Sequence, residues 1–237
     1  MIAQEIHPPS IWTWTAAHAG LILSHTAQHV ELTVIAVGIG LVISLPLAIL
    51  AYRHGRLYPP ITVVTGLLYT IPSLALFVLL IPLTGLTNAT VEVGLVSYTL
   101  LILIRNIVVG LRGVSEDVRD AARGMGYTRR QLLWRVELPM ALPAIVAGVR
   151  VATVSTIGLV TVGFIIGHGG LGELIIDGLD RFFTPEVIVG AVLSVGLALT
   201  ADGLLTLLER SLTPWNRTRR PYLPARASEP AAGGGAR

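Results

Sequence analysis

Apolar residues run along the chain in five long stretches, each near the ~20 residues a helix needs to cross a bilayer at about 1.5 Å per residue. They cover residues 30–52, 59–83, 93–111, 144–166 and 187–208. The first is charged only at Glu31, near its start, and the second carries no charge. The other three are each interrupted once, by Arg105, Arg150 and Asp202. This pattern predicts an all-α integral membrane protein with about five transmembrane helices. Buried helices of a soluble fold would need more polar chain to cover them than the sequence contains.

The arginines orient the bundle, because basic residues accumulate in cytoplasmic loops. With the N-terminus outside, every arginine lies on the inner side except Arg181, which is outside, and Arg105 and Arg150, which are within spans. The expectation is therefore N-out and C-in. A pI near 9.7 would otherwise suggest nucleic acid. Here it reports orientation, and no nucleic-acid partner is expected.

Composition sharpens the exclusions. The 237 residues are 53% hydrophobic and only 13% charged, against about 25% charged in an ordinary soluble domain. The absence of cysteine rules out disulfides, thiolate metal sites and cysteine nucleophiles. The absence of lysine rules out a phosphate-cradling GxxxxGK[ST] loop and a Schiff base. If ATP drives this protein, another chain binds it.

Outside the spans, residues 1–29 lack the basic start of a signal peptide, and 11–23 carry Trp12, Trp14 and His18. They read as an outer interfacial segment. The tail, 210–237, is rich in Pro, Arg and Gly and is expected to be disordered in the cytoplasm. The transmembrane domain is 30–209, and it contains the longest inner loop, 113–143.

That loop is patterned. Ser115, Glu116 and Asp117 mark a helix start. Val118, Ala121, Ala122 and Met125 follow at helical spacing, with Arg119, Asp120 and Arg123 on the other face. Gly124 and Gly126 end this helix, and Thr128 with Gln131 forms a capping box for a second. Pro139 and Pro143 are expected to turn the chain back into the membrane. Two readings of the alanine stripe are open: a docking face for another protein, or packing on the protein's own helices.

Asp120-Ala121-Ala122, three residues, Gly126, nine residues, Val136, one residue, Leu138-Pro139 resembles the EAA loop of bacterial ABC-importer permeases. Asp replaces Glu and Val replaces Ile, and the spacing agrees throughout. Leu68-Tyr69-Thr70-Ile71-Pro72-Ser73-Leu74-Ala75-Leu76, Ile104-Arg105-Asn106, the run from Met125 to Gln131 and Gly169-Gly170-Leu171-Gly172 are similar to the glycine betaine/carnitine/choline (osmoprotectant) subfamily. The resemblance implies a MetI-like permease fold. It also implies cytoplasmic ABC ATPase subunits, an extracytoplasmic substrate-binding protein, and a second permease copy or paralogue. By position, Asp120, Ala121, Ala122, Gly126, Leu138 and Pro139 would belong to the element that couples to the ATPase. The chain itself would be no enzyme and would hold no cofactor.

Four further features carry candidate chemistry. Thr70, Pro72 and Ser73 interrupt the second span, either lining a translocation path or simply kinking it. Arg105, Arg150 and Asp202 share one depth, so they form an intramembrane charge cluster or else the arginines snorkel. The stretch Gly167-His168-Gly169-Gly170-Leu171-Gly172 fits GxGxxG but follows a membrane run rather than a strand, so it reads as a glycine turn ahead of a short gate helix at 171–179. His168 in that turn is expected to be solvated, with no metal site. Aromatic residues, 6% of the chain, show no clustering along the spans. High-affinity recognition of a quaternary ammonium, which favours aromatic cages, is therefore assigned to a separate binding protein. The resulting expectation is the permease subunit of an ATP-driven osmoprotectant importer in the bacterial inner membrane. A methionine or other amino-acid importer is the alternative, and an ion-driven secondary transporter is the alternative from another class.

Overall fold

A computed structural model describes residues 10–214, and every regular element among them is helical. The helices are α1 (Ile11–Ala17), α2 (Ala19–Arg53), α3 (Tyr58–Thr70), α4 (Ser73–Thr84), α5 (Asn88–Arg112) and α6 (Glu116–Gly124). They continue with α7 (Arg129–Leu132), α8 (Leu138–Val160), α9 (Leu171–Asp180) and α10 (Thr184–Leu212). The tail expectation for 210–237 falls outside the described residues from 215 onward.

Four helical stretches are long and apolar enough to cross a membrane: Ala19–Arg53, Asn88–Arg112, Arg129–Ile166 and Thr184–Leu212. A fifth, Gly55–Thr70 with Ser73–Thr84, is broken, its halves at 97° to each other. Sequence hydropathy presented 59–83 as one rod with a kink, and the structure corrects that to a near right angle. Ile71 and Pro72 are both extended, with ψ of 129° and 131°. A residue before proline avoids the helical region, and Pro72 has no N–H to bond the Leu68 carbonyl.

The first crossing also starts earlier than residue 30. Helix α2 begins at Ala19 and its 35 residues extend about 52 Å. Its added turns are not a detached interfacial segment, because Gln28 and His29 are used by the glycine turn described below. Trp14 of α1 is buried against Leu171, Leu174 and Val189, with its ring stacked on His18 at 4.6 Å. Trp12 points away, 83% exposed.

Helix α5 is the centre of the bundle: 56% of its apolar window is buried, against 11% for α10. Leu103, Ile104, Ile107, Val108 and Leu111 meet Ala48 and Ala51 of α2 and Ala141, Ile145 and Ala152 of α8. Small residues bring the backbones close. A Cβ on Gly148 would lie 2.5 Å from Asn106 Cβ, and one on Gly40 would lie 2.0 Å from Thr99 Oγ1. A second cluster, with Leu32, Phe77, Leu95 and Val160, fills the half of the bundle away from the inner loop.

Candidate functional site

The loop between α5 and α8 builds a foot at one end of the bundle. Ser115 takes the extended N-cap conformation, and Glu116 and Asp117 occupy the first turn of α6. At the other end of α6 the N–H groups of Met125, Gly126 and Tyr127 donate to the carbonyls of Ala121, Arg123 and Ala122. Gly126 closes this reversal with φ of 83°, a left-handed value that favours glycine. Thr128 and Gln131 make the reciprocal capping box, the Gln131 side chain accepting from Thr128 N–H at 2.8 Å.

The apolar stripe divides between the two readings. Ala122 is buried against the protein, whereas Asp120, Ala121, Met125 and Gly126 are exposed. Leu138 and Pro139 are half-buried. The expected re-entry turn at Pro139 is absent. Instead, a π-helical turn at Leu133–Glu137 runs directly into α8. Pro139 has no N–H to offer, and the wider turn, with Leu138 N–H donating to Leu133 O, lets the helix continue past it.

Three side chains bolt the foot to the spans. Arg119 Nε donates to Glu137 Oε1 at 3.0 Å, Nη1 to Glu116 Oε2 at 2.8 Å, and Nη2 to the Leu111 carbonyl at 2.9 Å. The last bond satisfies an orphan carbonyl at the C-terminal end of α5, where a cation is favoured by the helix dipole. The Tyr52 hydroxyl, at the foot of α2, donates to the same Glu137 oxygen at 2.6 Å. Glu137 is buried, so this is a charge-assisted link between α2, α5, α6 and α8. On the exposed side Arg123 Nη1 reaches Glu116 Oε1 and Asp120 Oδ1, both at 2.7 Å. Hydrogen bonds from Arg119 and Arg123 hold the Glu116 carboxyl below the usual carboxylate range. Sequence reasoning missed Glu137 and Tyr52; the only signal was an acid placed just after Arg129, Arg130 and Arg135.

The intramembrane charges resolve into a different trio from the one expected. Arg150 forms a two-pronged pair with Asp202, Nε to Oδ1 at 2.9 Å and Nη2 to Oδ2 at 3.1 Å. Its Nη1 reaches Glu209 at 3.3 Å. Arg105 does not join them, which corrects the three-residue cluster. It lies on the exposed face of α5, as does Val109 one turn on, while Glu209 stands two turns beyond Asp202 on the same face of α10.

Thr70, Pro72 and Ser73 line a cavity of about 530 Å³ at the broken span, together with Tyr69, Tyr98 and Ser155. Thr70 Oγ1 donates to Leu67 O at 2.8 Å, and the Tyr98 hydroxyl donates to the Ile71 carbonyl. The rings of Tyr69 and Tyr98 meet edge-to-face with centroids 5.6 Å apart. The expectation that no aromatics cluster in the spans is therefore corrected: these two lie 29 positions apart and meet only because the span bends. Ser155 also lines a second cavity, of about 520 Å³, with Arg150, Val154 and Asp202. One face of α8 thus borders both.

At the end away from the foot, His29 joins three elements. Its Nε2 lies 3.0 Å from the Ile157 carbonyl and its Nδ1 accepts from Leu171 N–H at 3.3 Å, which requires the neutral tautomer with the proton on Nε2. Gly170 packs on it, where a Cβ would lie 2.8 Å from His29 Cβ. His168 is half-buried rather than fully solvated, with Nδ1 3.5 Å from Gln28 Nε2. Glu173 accepts from Gly169 N–H at 2.9 Å. Helix α9 starts at Leu171 as expected and packs on α1 and α10 through Leu171 and Leu174. No cluster of three or more metal-ligating side chains exists among the described residues.

These features define a class: an all-helical membrane bundle with a broken span, a polar foot at one end and a glycine turn at the other. Residues 36–214 match the family described as "Binding-protein-dependent transport system inner membrane component". Over 202 residues the chain is 40% identical to the osmoprotectant import permease protein OsmW of Salmonella typhimurium, covering 83% of this chain and 94% of that one. It is 36% identical to the choline transport system permease protein OpuBB of Bacillus subtilis, covering 83% and 91%. The fold superposes on inward-facing structures of the MetNI methionine ABC transporter with a TM-score of 0.76 at 23% identity, covering 83% and 98%. An amino acid ABC transporter solved with histidines gives 0.71 at 19%, covering 86% and 100%. The chain belongs to the family of binding-protein-dependent inner-membrane transport components. It is a multi-pass permease subunit with a MetI-like fold, and it catalyses no reaction of its own.

Proposed function

We propose that this chain is the permease of an ATP-driven importer for osmoprotectants: glycine betaine, choline, carnitine or proline. The observation that carries the cargo is its likeness, over most of the chain, to permeases named for osmoprotectants and choline. The solved neighbours, below 25% identity, speak for the fold alone, so methionine or another amino acid is the weaker alternative.

The proposed mechanism couples foot to spans. Asp120, Ala121, Met125 and Gly126 present a small exposed surface to a cytoplasmic ATPase subunit. The single methyl of Ala121 and the bare backbone of Gly126 let the partner approach closely. Arg119 and Glu137 then make α6 move as one body with α8 and α2, so that ATPase closure swings the spans between inward and outward states. The path runs along the α8 face that borders both cavities, past Thr70, Pro72 and Ser73 and past the Arg150–Asp202–Glu209 group. The N-terminus is outside and the foot inside, as the arginines require. Helix α9 faces the binding protein. A second permease, identical or paralogous, completes the path.

The test is reconstitution of the permease with a candidate ABC ATPase and a candidate binding protein from the same genome. Radiolabelled glycine betaine should enter proteoliposomes only with ATP and all three components. Methionine uptake in its place would overturn the cargo, and uptake without the ATPase would overturn the class.

A further inference from the structure

The broken span holds a combination that the path alone does not require. Helix α3 ends at Thr70, which leaves the carbonyls of its last turn without their usual donors. Pro72 has no N–H for Leu68, and Ser73 and Leu74 already belong to α4. These oxygens give the C-terminal end of α3 a partial negative charge. Tyr69 is 41% exposed and borders the cavity there. Tyr98 is buried behind it, fixed by its hydrogen bond to Ile71 O and by the edge-to-face ring contact. None of the residues lining the cavity is charged. The hydroxyls of Ser73 and Ser155 line it too and have no hydrogen-bond partner among the described residues.

This is a formally neutral surface on which the carbonyl end of α3 and the Tyr69 ring sit beside the first turn of α4, whose N–H groups carry the opposite partial charge. A primary ammonium or a metal ion would also call for a counter-carboxylate, and none lines the cavity. A quaternary ammonium donates no hydrogen bond, spreads its charge over methyl groups, and is attracted to an aromatic face and to carbonyl dipoles. A cavity of about 530 Å³ lies within the roughly 300–1,000 Å³ range of small-molecule sites.

We propose that the break at 70–73 is a transit site for trimethylammonium headgroups, with Tyr69 as the contact ring and Tyr98 as its positioning residue. Ser73 and Ser155 donate to the carboxylate or hydroxyl at the solute's other end. The site rests on the osmoprotectant reading for its natural occupant, and it deepens that reading by naming which residues meet the cargo inside the membrane. A single accessible ring makes it weak, which suits a place the solute must leave again.

The test uses the purified permease–ATPase complex in nanodiscs without binding protein, titrated with choline and followed by saturation-transfer NMR. The comparison ligand is 3,3-dimethyl-1-butanol, the neutral isostere of choline. Choline should bind saturably and the isostere should not displace it. Tyr69→Leu should weaken choline binding at least about tenfold, while Tyr69→Phe, which keeps the ring, should stay within about twofold. No saturable choline binding, equal binding of the isostere, or unchanged binding in Tyr69→Leu would each overturn the site. The isostere comparison needs no variant, so a poorly folding Tyr69→Leu leaves the test decisive. Uptake by the complete complex separates this proposal from the cargo reading. Wild-type choline binding without uptake of any trimethylammonium solute sinks the cargo and leaves the site. Normal betaine uptake with Tyr69-independent binding sinks the site and leaves the cargo.

Discussion

At the foot, Arg119, Glu137 and Tyr52 join four helices through a buried, charge-assisted network. At the opposite end, His29 joins α2, α8 and α9 through one neutral imidazole, and glycines do the close packing. Both ends tie the same long spans together. A foot that takes force from a partner must resist shear, and short ionic hydrogen bonds in fixed geometry do that. The glycine turn holds α9 by close packing, by the two bonds of His29 and by the Glu173 carboxylate accepting from Gly169 N–H. If this comparison is right, single substitutions at the foot cost more than those at the turn and are rescued differently.

The largest effect is expected from Glu137→Ala. It leaves the half-buried Arg119 with Glu116 as its remaining carboxylate partner and the Tyr52 hydroxyl without its acceptor, a loss of about 3 kcal/mol for two hydrogen bonds to a buried charged group. Thermal unfolding of the purified protein measures it. The double variant Arg119→Met/Glu137→Leu should recover most of that stability, because an apolar pair replaces the ionic one. Failure to recover would mean that Tyr52 or the Leu111 carbonyl carries the junction instead.

Next comes His29→Ala, which strands the Leu171 N–H and the Ile157 carbonyl inside the bundle at a cost of about 2 kcal/mol. His29→Gln should restore part of the loss. Protease cleavage within 167–172 should rise in the alanine variant while the foot stays resistant. Equal sensitivity at both ends would erase the contrast drawn above.

The foot was largely legible in the chain because its chemistry is local. The capping box of Thr128 and Gln131 and the left-handed Gly126 are settled within a few residues. Glu137 was not legible, since its burial depends on a π-turn that no hydrophobic period announces. The meeting of Tyr69 with Tyr98 needed the 97° bend, and His29 needed Ile157 and Leu171 brought back from 128 and 142 positions away. Of the intramembrane charges, equal depth paired Arg150 with Asp202, but depth carries no helix rotation. Arg105 therefore faces away and Glu209 takes its place. The number of spans followed from hydropathy, whereas the break in the second followed from Pro72 alone.

Smaller effects refine the foot itself. Gly126→Ala forces a side chain into φ of 83° and should cost about 1 kcal/mol, read from thermal unfolding and from weaker ATPase association. The smallest effect is electrostatic. Hydrogen bonds from Arg119 and Arg123 depress the Glu116 pKa, so the folded state gains from the carboxylate above its unfolded pKa. That gain is lost as pH falls through the depressed folded value. Glu116 is exposed, so the loss should shrink in high salt. A pH titration of foot stability in Glu116→Gln should lack this acid limb.

The central claim is that the foot transmits ATPase closure through the Arg119–Glu137 junction. Its most direct measure is the number of solute molecules imported per ATP hydrolysed by the complete complex carrying Arg119→Met/Glu137→Leu, a variant expected to stay folded. The account predicts continued ATP hydrolysis with import per ATP reduced about tenfold or more, roughly 1.4 kcal/mol of lost coupling. An unchanged ratio would contradict it.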